Sequence, residues 1–126
     1  MAVLGLGTDI VEIARLTQQL EKSDRLAKRV LTEFEWDIFS QHKFQVRYLA
    51  KRFAAKEAAV KALGTGIGNG VSWQQIEVTN GDLGQPIITF NGHFAHLCEQ
   101  RGINSALLSI SDEMHYAVAT VLLEQR

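Results

Sequence analysis

Cysteine and proline are almost missing from this chain of 126 residues, which has one of each, Cys98 and Pro86. A lone cysteine closes no internal disulfide, so a secreted scaffold stapled by bridges is excluded, as is a zinc site of the cysteine-rich kind. The expected home is a reducing one, the cytoplasm. No Pro/Ser-rich linker, low-complexity tract or convincing repeat divides the chain, and residues 1–126 read as a single domain. No stretch approaches the roughly 18 uninterrupted apolar residues of a membrane span. The N-terminus MAVLGLGTDIVEI is apolar, but no basic segment precedes it and Asp9 interrupts it, so it fails as a secretory signal and no membrane partner is expected. Net charge is also scarce, −1 at pH 7. Nucleic-acid binders normally carry a visible excess of Lys and Arg, so nucleic acid is not an expected partner either.

What is present is average globular material, 46% hydrophobic and 21% charged. A chain of this size buries roughly two-thirds of its unfolded surface and supports a core without staples. Residues 3–13 read as a strand, rich in β-branched residues and too short and glycine-bearing for a helix. Three short helices follow: RLTQQLEK, then SDRLAKRVL with Ser23 or Asp24 as cap, then TEFEWDIFSQH with Thr32 as cap and Glu35 completing a capping box. A longer helix runs from Gln45 to Leu63 and ends at Gly64, the usual left-handed terminator. Residues 73–79 read as a strand, NGDLGQP as a turn and IITF as the hairpin partner. A helix over 93–101 then leads to two strands, SALLSIS and YAVATVLLE. Elements segregated in this way give an α+β class, a mostly antiparallel sheet packed against the long helix with several short helices beside it.

Two acids interrupt apolar patterns. Asp9 shares a strand face with Gly7, Val11 and Ile13, while Leu4, Leu6 and Ile10 occupy the other, so neither face of this strand reads as solvated. On the long helix Val46, Leu49, Phe53 and Val60 form the core stripe, and Glu57 lies about 40° from Phe53, inside an apolar face about 100° wide. A buried carboxylate is costly without a cation or donors. Two such acids, one on a strand and one on the helix that packs on it, suggest a shared cation, and few hard oxygen ligands completed by a phosphate suit Mg²⁺. The plainer alternative stays open: Glu57 with Lys61 as an i,i+4 ion pair, and Asp9 capping a turn or pairing with a basic residue.

The loop GTGIGNG is not a nucleotide cradle of the usual kind. It follows a helix rather than a strand, and a helix C-terminus presents partial negative charge, so a phosphate there needs a cation such as Lys61. His93 and His96, i and i+3 on one helix, lack a third ligand. Cys98, Trp36 and Trp73 read as packing residues.

GTDIVEIARL (7–16) together with RFAAKEAAVKALGTGI (52–67) resembles the small bacterial 4′-phosphopantetheinyl transferases of the holo-acyl-carrier-protein synthase type, and the likeness extends through NGV to HYAVATVLLE. The resemblance implies that family's fold and its activity: transfer of the 4′-phosphopantetheine of coenzyme A to a serine of apo-acyl-carrier protein, releasing adenosine 3′,5′-bisphosphate, in fatty acid biosynthesis. It also implies Mg²⁺ and a cytoplasmic homotrimer with active sites at subunit interfaces. Asp9 and Glu57 match the metal-binding acids. Lys61 matches the lysine near the pyrophosphate, and Arg52, Lys61, Gly64, Thr65 and Gly66 match positions around coenzyme A. Glu57 and Lys61 are then the catalytic pair, with either Glu57 or a metal-held water as the base. Many relatives carry Ser-Ile-Thr-His where this chain has Ser109-Ile110-Ser111-Asp112, so that histidine's role does not transfer.

Carrier proteins of this kind are acidic, and the small net charge hides a basic half. Between Arg15 and Lys61 lie eleven of the thirteen Lys and Arg against six acids, an excess of +5 offset by the remainder. Arg15, Arg25, Lys28 and Arg29 form the expected docking face. A non-catalytic docking module would not need Asp9 and Glu57 in apolar positions, and a Mg²⁺ phosphohydrolase would need no protein acceptor.

Overall fold

The computed structural model describes every residue, Met1–Arg126. The chain runs β1 (Ala2–Glu12), α1 (Ile13–Lys22), α2 (Arg25–Val30), α3 (Glu33–Ser40), α4 (Gln45–Leu63), a 3₁₀ turn (Trp73–Gln75), β2 (Ile76–Asn80), β3 (Pro86–Phe90), α5 (Gly92–Gln100), β4 (Ser105–Asp112) and β5 (Tyr116–Gln125). The α+β expectation holds. β5 is the centre of an antiparallel sheet ordered β1-β5-β4, and β2-β3 form a separate antiparallel hairpin.

Local chemistry sets the ends of α3 and α4 as expected, whereas Asp24 at the start of α2 makes no side-chain capping bond and Ser23 Oγ instead accepts from Arg25 N at 3.3 Å. Thr32 accepts from Glu35 N, and the Glu35 carboxylate returns the bond from Thr32 N, so α3 has its capping box. α4 stops at Gly64, whose φ of 87° an L side chain rarely adopts, and whose amide still reaches Val60 O at 2.8 Å. One assignment is corrected. Residues 73–75 form a turn rather than the start of a strand, because their side chains are drawn to neighbouring backbone. Gln74 Nε2 donates to Lys28 O and Leu31 O, and Gln75 Nε2 donates to Gly70 O. Those contacts are incompatible with an alternating strand, and pairing begins only at Ile76.

The core lies between α4 and the three-stranded sheet. Gly5, Gly7 and Val11 of β1 and Ala117, Ala119, Val121 and Leu123 of β5 meet an alanine-rich α4 surface that includes Ala54, Ala55, Ala58 and Ala62. A Cβ on Gly7 would overlap Ala58 O, and one on Gly5 would overlap Ala62 O. Helix and strand backbones are therefore nearly in contact along this seam.

Two expectations change here. α4 does not have one apolar stripe and one broad wet side, since Arg52 and Lys56 are buried along with its alanines. Lys56 Nζ lies 2.5 Å from Glu35 Oε1 with both side chains fully enclosed. The outer face of β1 is apolar, as expected, but nothing in the single chain covers it: Leu6 and Ile10 are 65% and 63% exposed. In register with Leu6 stand Leu122 and then Leu107, so the apolar strip crosses the whole sheet.

Candidate active site

The glycine seam decides the site. With no Cβ at Gly5 or Gly7, α4 settles close enough to β1 for Lys61 Nζ to reach Asp9 Oδ1 at 2.9 Å and Thr8 O at 3.2 Å. Lys61 therefore crosses to the strand instead of pairing with Glu57 along its own helix, which removes the i,i+4 pair and gives Asp9 the basic partner that the plainer reading allowed. The Asp9 side chain is mostly enclosed and Lys61 is half exposed, so the pair sits at a mouth rather than in the core.

One turn back from Lys61, Glu57 is half-buried, and its Oε2 accepts from Trp73 Nε1 at 3.4 Å. Burial pushes the Glu57 carboxyl above its ordinary range. The Trp73 hydrogen bond opposes that, the neighbouring Asp9 charge adds to it and Lys61 opposes it. Two carboxylates, the charge of Asp9 close enough to be felt by Glu57, beside one cation, are the expected trio brought together.

Chemically this is an open, oxygen-rich site. No group of three or more His, Cys, Asp or Glu side chains converges anywhere in the chain, so His93 and His96 hold no metal set. Two carboxylates alone fit a small hard cation that keeps waters and takes phosphate oxygens, and they do not fit a closed structural metal site. Metal-ligand quality thus depends on what a substrate brings.

The glycine loop begins at the same end of α4. Gly64, Gly66, Gly68 and Gly70 all have positive φ, and a Cβ on any of the first three would meet open space. Thr65 is exposed, its hydroxyl donating to Gly66 O. Gln75 ties the far end of the loop through Gly70 O, and its Oε1 accepts from Phe94 N at the start of α5. Gly64, Thr65 and Gly66 are thus exposed backbone just past Lys61, the one side-chain cation of the trio that can offset the helix's negative end.

Arg52 stands elsewhere. Five residues before Glu57 it points about 140° around the helix, and the structure does not bring it to the Asp9, Glu57 and Lys61 trio within this chain. Its guanidinium lies 4.3 Å from the Tyr48 ring centroid, and Nη2 donates to Asn80 Oδ1. Arg52 Nε and Tyr48 Oη are buried without partners. They border a cavity of about 300 Å³ whose lining includes His42, Arg47, Lys51 and Asn80. Asp112 faces this group, 2.8 Å from Arg47 and 3.8 Å from Lys51.

Arg15, Arg25, Lys28 and Arg29 are exposed on α1 and α2. Arg15 touches Glu12 and Lys28 touches Asp24, both loosely at the surface. The basic half is less basic than its composition suggests, since Arg52, Lys56 and Glu35 are buried. Setting those three aside leaves nine cations against five acids between residues 15 and 61. Trp73 is the residue that sequence reading missed. Nothing in its neighbourhood along the chain signals a contact with a carboxylate sixteen residues earlier.

Residues 5–121 match the family described as the 4′-phosphopantetheinyl transferase superfamily. The chain is 66% identical over 124 residues to a holo-[acyl-carrier-protein] synthase of Alteromonas mediterranea, covering 98% of each. Its fold is similar to the crystal structure of holo-[acyl-carrier-protein] synthase from Neisseria meningitidis, with a TM-score of 0.92 at 40% identity over 98% of this chain and 100% of that one. The Helicobacter pylori holo-[acyl-carrier-protein] synthase in complex with coenzyme A is similar over 94% of this chain and 99% of that one, with a TM-score of 0.82 at 29% identity.

Proposed function

The chain belongs to the holo-[acyl-carrier-protein] synthases of the 4′-phosphopantetheinyl transferase superfamily, and from that premise we propose that Asp9, Glu57 and Lys61 transfer 4′-phosphopantetheine from coenzyme A to a serine of apo-acyl-carrier protein. The observation that carries this reading is the convergence of the trio across the Gly5/Gly7 seam.

Asp9 and Glu57 would hold Mg²⁺, which, when bound, neutralises pyrophosphate charge and polarises the phosphorus under attack. Lys61 would draw the departing phosphate as its charge develops. The serine Oγ–P bond forms while the P–O bond to adenosine 3′,5′-bisphosphate breaks, and the serine proton goes to Glu57 or to water beside it. Burial raises the proton affinity of Glu57, which favours it as the acceptor. The exposed backbone of Gly64, Thr65 and Gly66 would lie along the coenzyme's phosphates.

Assembly completes the picture. The exposed apolar strip through Leu6, Ile10 and Leu107 favours self-association, a homotrimer in this family reading. A neighbouring copy would let the separate Arg52 cavity, with its unpartnered Nε, serve coenzyme A from across the interface. Arg15, Arg25, Lys28 and Arg29 would dock the acidic carrier protein. No helix is long and apolar enough to cross a membrane. Cytoplasmic fatty acid biosynthesis is the setting this activity serves.

The test is an acceptor assay: coenzyme A, Mg²⁺, apo-carrier protein and enzyme, with the carrier weighed by mass spectrometry. A phosphopantetheine mass gain is expected, lost in Asp9→Ala and Glu57→Ala and slowed in Lys61→Ala. No gain on a carrier that another transferase modifies would reject the reading. Normal turnover by either acid variant would reject the metal assignment.

A further inference from the structure

Glu57 has one hydrogen-bond donor within the chain, and it is the indole of Trp73, Nε1 to Oε2 at 3.4 Å. Two further contacts hold that indole. The Phe53 ring centroid lies 5.9 Å away, and the Arg29 guanidinium sits over the indole at 5.3 Å. Phe53 and Glu57 are one turn apart on α4, so the tryptophan packs on one residue and donates to the next along the same helix face. The backbone cooperates, because Gln74 and Gln75 anchor the 3₁₀ turn that carries Trp73 to α2 and to the glycine loop.

A glutamate at the surface of a helix has three rotatable bonds, and a carboxylate free to rotate loses entropy when it binds anything. Donors that hold one oxygen of a ligating carboxylate fix its orientation, and removing such partners typically costs 10- to 100-fold in metal affinity. We propose that Trp73 is a positioning residue for Glu57: its N–H pins Oε2 and leaves the other oxygen oriented for a divalent cation. The proposal rests on the reading of Asp9 and Glu57 as cation ligands. It does not depend on Trp73 touching substrate.

Trp73→Phe keeps an aromatic ring against Phe53 and under Arg29 while removing the donor and the small pyrrole ring that carries it. The experiment measures Mn²⁺ affinity of the substrate-free protein by electron paramagnetic resonance, thermal stability, and the dependence of transfer on Mg²⁺. In Trp73→Phe we expect Tm within about 3 °C of wild type and Mn²⁺ affinity about tenfold weaker, the low end of the range for such partners because the bond is long. The Mg²⁺ concentration for half-maximal rate should rise by a similar factor, with kcat recovered at saturating Mg²⁺. In a Glu57→Ala background the same substitution should change Mn²⁺ affinity no further. Unchanged Mn²⁺ affinity in Trp73→Phe, with a large loss in Glu57→Ala, overturns the role of Trp73. An equal loss in the Glu57→Ala background also overturns it, because the effect then bypasses the carboxylate. Unchanged Mn²⁺ affinity in Glu57→Ala itself would instead remove the metal reading. Trp73→Leu serves as the packing control and should lose stability as well as affinity.

Discussion

Lys56 and Glu35 give the sharpest test of how charge is used inside this fold. Lys56 Nζ donates to Glu35 Oε1 at 2.5 Å and to Val30 O at 2.6 Å. Glu35 Oε1 also accepts from Thr32 N at 2.9 Å, and Oε2 accepts from Val78 N at 2.7 Å. The end of α2, the start of α3, the middle of α4 and strand β2 thus meet at one enclosed ion pair. Burial pushes the Lys56 ammonium below its ordinary pKa, and the Glu35 charge is the main force opposing that shift. Replacing Lys56 by Met keeps most of the volume but strands the Glu35 charge on two backbone donors. Breaking a buried pair from one side costs about 3–5 kcal/mol, against a total of about 5–15 kcal/mol for a domain. For a chain of this length that corresponds to a fall in Tm of about 10–20 °C. Thermal and urea denaturation followed by circular dichroism measure it. Adding Glu35→Gln should recover part of the loss, because the amide oxygen still accepts from one backbone N–H while the stranded charge is gone. Transfer at low temperature should persist, since Lys56 Nζ faces α3 and not Asp9. A Lys56→Met variant within about 1 kcal/mol of wild type refutes the reasoning, and so does a Glu35→Gln/Lys56→Met protein less stable than Lys56→Met alone.

Other variants probe the remaining layers. Gly7→Ala places a Cβ over Ala58 O and 2.5 Å from Ala62 N, a backbone clash that no rotamer relieves; about 2–3 kcal/mol of stability and at least about tenfold in kcat should be lost, and normal kinetics in this variant would mean the seam does not set the site. Glu57→Gln should abolish transfer yet raise Tm at neutral pH, because burial disfavours the charged form of Glu57. That gain is present while the wild-type carboxylate is ionised and fades as pH falls through its raised pKa, so a Tm series from pH 8 to 4 that shows no convergence argues against the desolvation. Arg15→Glu with Arg25→Glu should raise KM for the carrier protein about tenfold and flatten its salt dependence; an unaltered KM moves the docking face elsewhere. Leu6→Lys with Ile10→Lys should sediment as a smaller species with intact helical dichroism, and an unchanged sedimentation coefficient would clear the outer sheet face of any part in assembly.

Much of this molecule was legible because its signals are local. The ends of α4, the Gly64 terminator and the Thr32/Glu35 box depend on residues within one turn of each other, and sequence spacing captures that range. Asp9 and Glu57 were legible for a different reason: each breaks an apolar pattern, and a carboxylate in such a place needs a partner. What escaped was the non-local chemistry. On the wheel Lys56 lies about 20° from Leu49, as deep in the apolar face as Glu57, but its enclosure depends on Glu35 arriving from another helix. Trp73 looked like bulk, since its N–H becomes informative only once α4 is placed beside the 3₁₀ turn. Arg52 adjoins the motif in sequence but faces away from it in space, because five residues is nearly half a turn out of phase.

α4 shows why so short a chain needs no separate scaffold for its chemistry. Lys56 and Glu57 are adjacent, so their side chains diverge by about 100°, and one becomes an enclosed tie between elements while the other reaches the mouth of the site. Ala58 and Ala62, further round α4, let the helix approach β1, and the two β1 glycines complete that approach. A larger residue on either surface would lift the helix and separate Lys61 from Asp9 before it disturbed any chemical group. The same seam therefore fixes core density and the spacing of the charged trio, which makes the small residues Gly5, Gly7, Ala58 and Ala62 as constraining for the geometry of the trio as the charged side chains themselves.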